Sequence, residues 1–434
     1  MYLAIQGSEA ENGCQHLFQV NCLRVSKSWQ VYLSKECKFW THIDLSDASK
    51  TVSSSFLTKA VRYSQNKLHT LTLHRAPHLP FLRNVGRVCK SLHTINIISF
   101  PHTLSDTLVS AVQFAQNLRK LLIIPCVTAD AVIQILRRRP ELESLEIKSV
   151  LFTRNGTGRS LPRYWQGGPF HSLHTLAMNG VEPNGQFDFG LLTLAPALQS
   201  LTVIKIPSSI LKSDQLFHSK LTSLVLKKVG AHEFPLLPPT LKSLSLHSVV
   251  LLTWNNVLRS RLPELTYLDL SEVCLSPEFL EYLLDLYEDD DGTQHALSDA
   301  KPLQHLSLSG TLDSPFDEKN STVTAHLLKS KRILTPSLMS LRVPFLPFRD
   351  DDARALIASD ATNLSSINLS STKISGAGLK TLVDGMPRLE VARLDHCRNL
   401  SSRDAIEYAQ SRGVHVHYTM NEHIGLANGR SVRY

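Results

Sequence analysis

The chain has 434 residues, is 42% hydrophobic and 19% charged, and carries a formal net charge of +8 with a pI of about 9.1. Its seven cysteines (Cys14, Cys22, Cys37, Cys89, Cys126, Cys274 and Cys397) are odd in number and scattered, with no Cys-x-x-Cys pair. That excludes a disulfide framework and a Cys-rich zinc site, and it points to a reducing compartment, nuclear or cytoplasmic. No apolar run is long enough to span a membrane, and no N-terminal stretch reads as a signal peptide. The basic residues are dispersed. The densest run, Arg137 to Arg139, reads as a helix end, so nucleic acid is not indicated directly.

In chain order, residues 1–21 read as irregular, because Gly7 to Gly13 is loop-like and no helical period is present. In residues 22–46, Val25, Trp29 and Leu33 recur at helical distances. An apolar pair, Phe39-Trp40, follows, and then alternation at Ile43 and Leu45 predicts a strand.

From Leu68 onward one short pattern, Leu-x-x-Leu-x-Leu with conservative swaps, occurs thirteen times. The copies begin at Leu68, Leu92, Leu118, Leu142, Leu173, Leu198, Leu221, Leu241, Leu265, Leu303, Leu338, Leu364 and Leu389. Successive starts are 24, 26, 24, 31, 25, 23, 20, 24, 38, 35, 26 and 25 residues apart. Most spacings fall in the leucine-rich-repeat range of about 20–29 residues, and the three longer ones mark insertions. In Leu142-Glu-Ser-Leu145-Glu-Ile147, Leu145 and Ile147 point to one face, and Ser144 and Glu146 to the other. One such strand cannot bury its apolar face alone. The pattern therefore predicts an α/β leucine-rich-repeat solenoid over residues 47–420, a curved parallel sheet with outer helices, followed by a tail over 421–434.

Helical return segments are predicted from Thr128, where Ala131, Ile135 and Leu136 share one face, and from Ser375 and Ser401, each a capping-type Ser ahead of helical spacing. The ninth repeat position holds Cys126 and Cys397, read as small buried hydrophobes. The long insertions (153–168, 288–300 and 313–331) read as loops, with a helix expected around Ala325 to Leu328. Asp350 to Asp352 fits a helix N-terminus, and His415-Val-His417 reads as an end strand.

Residues 22–46 resemble the second half of an F-box. Val25, Ser26, Lys27, Trp29, Leu33, Phe39 and Trp40 match its Val-Cys/Ser-Lys-x-Trp core, spacer and apolar-Trp pair, leading directly into repeats. The Leu-Pro helix that opens an F-box has no counterpart in residues 1–21. Over residues 20–420 the chain also resembles a fungal group that joins tetratricopeptide repeats, an F-box and leucine-rich repeats, although no tetratricopeptide repeat is visible in it. The resemblance implies a substrate-recognition subunit of an SCF-type ubiquitin ligase. Leu23, Val25, Trp29, Leu33 and Trp40 would meet a Skp-type adaptor and, through it, a cullin-based ligase. It further implies a role in DNA replication or genome stability. The alternative is a repeat-protein scaffold without ligase attachment.

A protein substrate is expected on the outward strand positions. The residues selected for it are Lys120, Leu122, Glu146, Lys227, Tyr267, Asp269, Arg342 and Arg393. No phosphate loop, nucleophile elbow or His-Glu-x-x-His occurs, so the chain is read as non-enzymatic, with no cofactor or metal.

Overall fold

A computed structural model describes residues 27–45, 54–73, 79–98, 105–151, 169–180, 191–205, 216–233, 236–253, 262–273, 301–309, 318–330, 333–400 and 403–419. The chain divides into two compact units, Met1–Gln215 and Leu216–Tyr434.

The first unit opens with helix α1 (Lys27–Lys35), a 3-10 turn (Cys37–Trp40) and strand β1 (His42–Asp44). Helices α2 (Ser54–Tyr63), α3 (Leu79–Val88), α4 (Ser105–Val112), α5 (Ala129–Arg138) and α6 (Leu191–Leu194) alternate with strands. These strands are β2 (Thr70–Leu73), β3 (Thr94–Ile97), β4 (Lys120–Ile123), β5 (Val127–Thr128), β6 (Ser144–Leu151), β7 (Thr175–Gly180) and β8 (Ser200–Ile204). All pairings are parallel, and the main ladder runs β1-β2-β3-β4-β6-β7-β8.

The second unit holds strands β9 (Ser223–Lys227), β10 (Gly230–Glu233), β11 (Ser243–His247), β12 (Val250–Thr253), β13 (Tyr267–Ser271) and β14 (His305–Leu308). After helix α7 (Glu318–Lys329) come β15 (Ser340–Arg342), α8 (Asp350–Ile357), β16 (Ser366–Asn368), α9 (Gly376–Gly385), β17 (Val391–Arg393), α10 (Arg403–Ser411) and β18 (His415–His417). Its main ladder is β9-β11-β13-β14-β15-β16-β17-β18, again parallel.

The fold is a leucine-rich-repeat solenoid, and the register shows why. The repeat leucines lie directly across from one another: Leu71 faces Ile95, Leu121 faces Leu145, and Leu224 faces Leu244, which faces Leu268. All of these side chains are buried. Each therefore removes its apolar surface from water only because the next coil covers it, worth roughly 1.5–3 kcal/mol per leucine. The 38- and 35-residue spacings leave this register intact, since Tyr267 still faces His305 and His305 faces Ser340. Lengthening the connection between two coils costs little in chain entropy, so the strand pairing survives it. Strands β1 and β18 extend the two ladders by one coil each, at the positions the sequence marks.

Among the described residues, several return segments are helical. Thr128 caps α5 by accepting from the Ala131 N–H at 3.3 Å, and Ser375 caps α9 by accepting from Ala377 at 3.1 Å. Ser401 and the insertions 153–168 and 288–300 fall outside the described residues, whereas α7 covers the helix expected near Ala325. Asp350, at the start of α8, accepts from Ser375 N–H (2.8 Å) and Oγ–H (2.6 Å), so it ties one helix start to the next. The uniform outer layer of helices expected from the sequence is corrected at the 20-residue repeat. Its β10 pairs with β12, which lies in the following 24-residue repeat, in a separate two-stranded parallel sheet. A strand rises about 3.3 Å per residue against 1.5 Å for a helix, so it returns the chain with fewer residues.

The eighth repeat position carries a feature with no composition signal. Lys205, Lys228, Ser248, Glu272, Phe345, Ser371 and His396 all have φ between 51° and 62°, and none is glycine. In the second unit each such N–H that bonds across donates to the neighbouring coil, as Lys228 does to His247 O (2.8 Å) and Ser371 to Asp395 O (2.8 Å). The left-handed turn is thus imposed by the ladder against a local cost of about 1–2 kcal/mol per residue. Lys228→Gly is expected to raise stability by up to about 1 kcal/mol, because relief of that cost exceeds glycine's entropic penalty of about 0.5–1 kcal/mol. Lys228→Val should lower stability by about 1 kcal/mol or more. Denaturant midpoints of the two variants check this, and a valine variant at least as stable as the glycine one would contradict it.

Candidate functional site

The outward face of each ladder is built from the third, fifth and seventh repeat positions. Neighbouring strands shade it more than a single strand would suggest, so Thr72, Ser245, Ser307 and Asn368 at the fifth position are buried. Asn96 bridges to Thr72 (Nδ2–H to Oγ1, 3.2 Å). Asp269 accepts from Ser245 Oγ–H (3.3 Å) and Ser271 Oγ–H (2.5 Å), and Ser271 Oγ lies 3.3 Å from Ser307 Oγ. Thr72, Ser245 and Ser307 thus spend hydrogen-bonding capacity on neighbouring side chains of the same face.

The selected outward residues separate into groups. In the first unit, Leu122 lies directly across from Glu146, and Lys120 from Ser144. Lys120 is exposed, while Leu122 and Glu146 are half-buried, with Glu146 paired to Lys148. In the second unit, Lys227 faces His247 on β9 and β11, away from the others. Tyr267, Asp269 and Arg342 come together. Burial first, and then the Asp269 carboxylate, push the Tyr267 phenol above its ordinary pKa, and the Arg342 guanidinium pulls it back. The Tyr267 and His305 rings lie 5.7 Å apart.

Arg342 and Arg393 line one cleft of about 700 Å³ at the C-terminal end of the second unit. Its walls also include Phe345, Asn368, Ser370, Ser371, Asp395, His396, His417, Tyr418 and Thr419. Sequence reading placed Asn368 and Asp395 outward but did not single them out, and it treated His417 only as part of an end strand. The signal that finds this group is the repeat register itself, which sets Arg342, Asn368, Arg393 and His417 in one row. Asp395 accepts from Thr419 Oγ–H at 2.8 Å and pairs with Arg393 Nε at 3.2 Å. Tyr418 OH donates to Leu400 O at 2.9 Å. Arg342 is exposed and makes no ion pair among the described residues.

Of the residues expected at an adaptor surface, Leu23 and Val25 lie outside the described residues. Trp29 and Leu33 lie on α1. Trp40 does not fit that role as a contact, because it is 1% exposed and its ring packs 5.3 Å from that of Tyr63. It fills the end of the core behind β1. On α1, Val31 (52% exposed) and Tyr32 (50%) face solvent instead.

The remaining chemistry is structural. Burial pushes the Cys89 thiol up to about 11 and raises that of Cys397, whose Sγ–H donates to Leu369 O at 3.0 Å. These thiols are therefore poor nucleophiles. Cys126, expected buried, is half-buried. Among the described residues no three His, Cys, Asp or Glu side chains gather as metal ligands, and no helix is long and apolar enough to cross a membrane.

No protein-family model matches the chain, and no curated protein does. Solved structures are similar in chain path. An internalin from Listeria monocytogenes (15% identity, TM-score 0.39) covers 71% of this chain over 82% of its own. The Rad7 and Elc1 complex in yeast (14%, 0.44) covers 94% over 91% of its chain. The TLR13–ssRNA13 complex (16%, 0.40) covers 78% over 43% of its chain. The chain has the leucine-rich-repeat solenoid fold that its own strand register shows.

Two substitutions separate the roles within the cleft. Arg342→Ala should leave stability within about 0.5 kcal/mol, since an exposed, unpaired side chain is lost. Asp395→Ala should cost about 1–2 kcal/mol, because it releases Thr419 and Arg393 together. Thermal unfolding of both variants checks the pair, and a larger loss for Arg342→Ala would place that side chain inside rather than outside.

Proposed function

We propose that the chain is a substrate-recognition subunit of an SCF-type ubiquitin ligase. It positions a protein target on its outward strand face and docks to a Skp-type adaptor, and so to a cullin-based ligase, through its N-terminal helix. The observation that carries the reading is α1, which exposes Val31 and Tyr32 and runs through a 3-10 turn into the first coil. An exposed apolar pair on a short helix is the kind of surface that a helix laid against an adaptor groove can use. Residues 22–46 match the F-box pattern over this same element. Buried Trp40 and Ile43 fix the element to the first coil, so a docked adaptor would hold the repeat face at a set position. The resemblance to the fungal group extends the proposal to targets in DNA replication or genome stability, with action in the nucleus or cytoplasm.

Co-expression with a Skp-type adaptor and affinity capture tests the reading. The chain should retain the adaptor, and the double variant Val31→Asp/Tyr32→Asp should lose it with an unchanged melting temperature. Trp40→Ala should instead destabilise the first unit by about 3–5 kcal/mol. Absence of capture by the unmodified chain would favour a free-standing interaction scaffold.

A further inference from the structure

The cleft in the second unit has a charge order that specifies its ligand. Along the ladder, the fifth repeat position runs Asp269, Ser307, Arg342, Asn368, Arg393, and β18 adds His417 in the same row. Asp269 already accepts two hydrogen bonds. From Arg342 onward the row contains no carboxylate. Asn368 Oδ1 accepts from the Ser370 N–H at 3.0 Å, which leaves its amide hydrogens as donors. The one acid on the cleft wall, Asp395, is held by Thr419 and Arg393 Nε and leaves the terminal nitrogens of Arg393 uncommitted. Ser370 Oγ, also on the wall, has no hydrogen-bond partner.

Donors of this kind demand an anionic ligand, and their spacing says which. Strands lie about 4.8 Å apart, so Arg342 and Arg393 are separated by roughly 10 Å and the row to His417 by roughly 14 Å. A compact single anion suits converging donors. A line of donors suits charges distributed along an extended chain, which advances about 3.4 Å per residue and repeats a side-chain face every two residues. We infer that the row Arg342–Asn368–Arg393–His417 is a subsite for an unmodified acidic peptide segment of a partner protein, laid across the strands with Asp or Glu carboxylates about 10 Å apart, roughly three residues of extended chain, on Arg342 and Arg393. This assignment rests on the reading that the outward strand face is the protein-binding surface.

Fluorescence anisotropy with the purified full chain tests it. The probes are a labelled Glu-rich octapeptide, its Gln counterpart, and a peptide with one phosphoserine and no Asp or Glu. The Glu-rich probe should bind and weaken as salt rises, and the Gln probe should not bind. Arg342→Gln and Arg393→Gln should each weaken binding about tenfold, with Arg342→Lys weakening it less. Circular dichroism confirms that each variant is folded. Equal binding by the variants, tighter binding of the phosphoserine probe, or no binding of the Glu-rich probe would each overturn the assignment. Adaptor capture reads a different unit of the chain. Peptide binding without adaptor capture therefore removes the ligase reading alone, and adaptor capture without peptide binding removes the acidic-segment reading alone.

Discussion

One carbonyl per coil organises this chain. The oxygen of the second repeat position accepts from two successive N–H groups of the next coil: Thr41 from His69 (2.7 Å) and Thr70 (3.2 Å), His93 from Arg119 and Lys120, Thr266 from Gln304 and His305. The same double acceptance recurs through both units among the described residues. It fixes each coil's height and rotation on its neighbour, and that brings the inward leucines into contact. Without the leucines the bonds would sit in water and contribute little net stability. Without the bonds the leucines would have no fixed register.

This division of labour frees the outward side chains. The second position can be Thr, His, Arg, Glu, Lys, Gln, Met or Ser because the ladder uses its backbone carbonyl, whatever the side chain does. The third and fifth positions are free to vary in chemistry from coil to coil. In the second unit they change from a self-satisfied Ser-Asp-Ser cluster around Asp269 to the exposed guanidinium of Arg342, without an ion pair among the described residues, within two strands. A rigid ladder can therefore hold different surface chemistries side by side without altering its core.

The sequence makes the ladder legible because leucine recurs wherever a side chain must face inward, and the end strands at Ile43 and Val416 follow the same period. Helix starts at Thr128 and Ser375 are legible because capping needs a side-chain oxygen. The left-handed turn at the eighth position is not, since its residues are Lys, Ser, Glu, Phe and His, and the backbone ladder forces the conformation on them. Trp40 misleads for a related reason: a motif records that a tryptophan is present, whereas burial depends on Tyr63 and a coil formed later in the chain. The cleft was only half visible. Arg342, Asn368 and Arg393 share an outward column that the repeat period marks, but the place of His417 in the same row depends on the register of the end strand.

Native-state hydrogen exchange tests the central claim most directly, through the amides of His69, Lys120, Thr266 and His305. Their side chains are exposed or half-buried, yet their N–H groups donate across coils. The account predicts slow exchange at all four, comparable with the buried leucines beside them. Exchange at the rate of solvent-facing loop amides would contradict it.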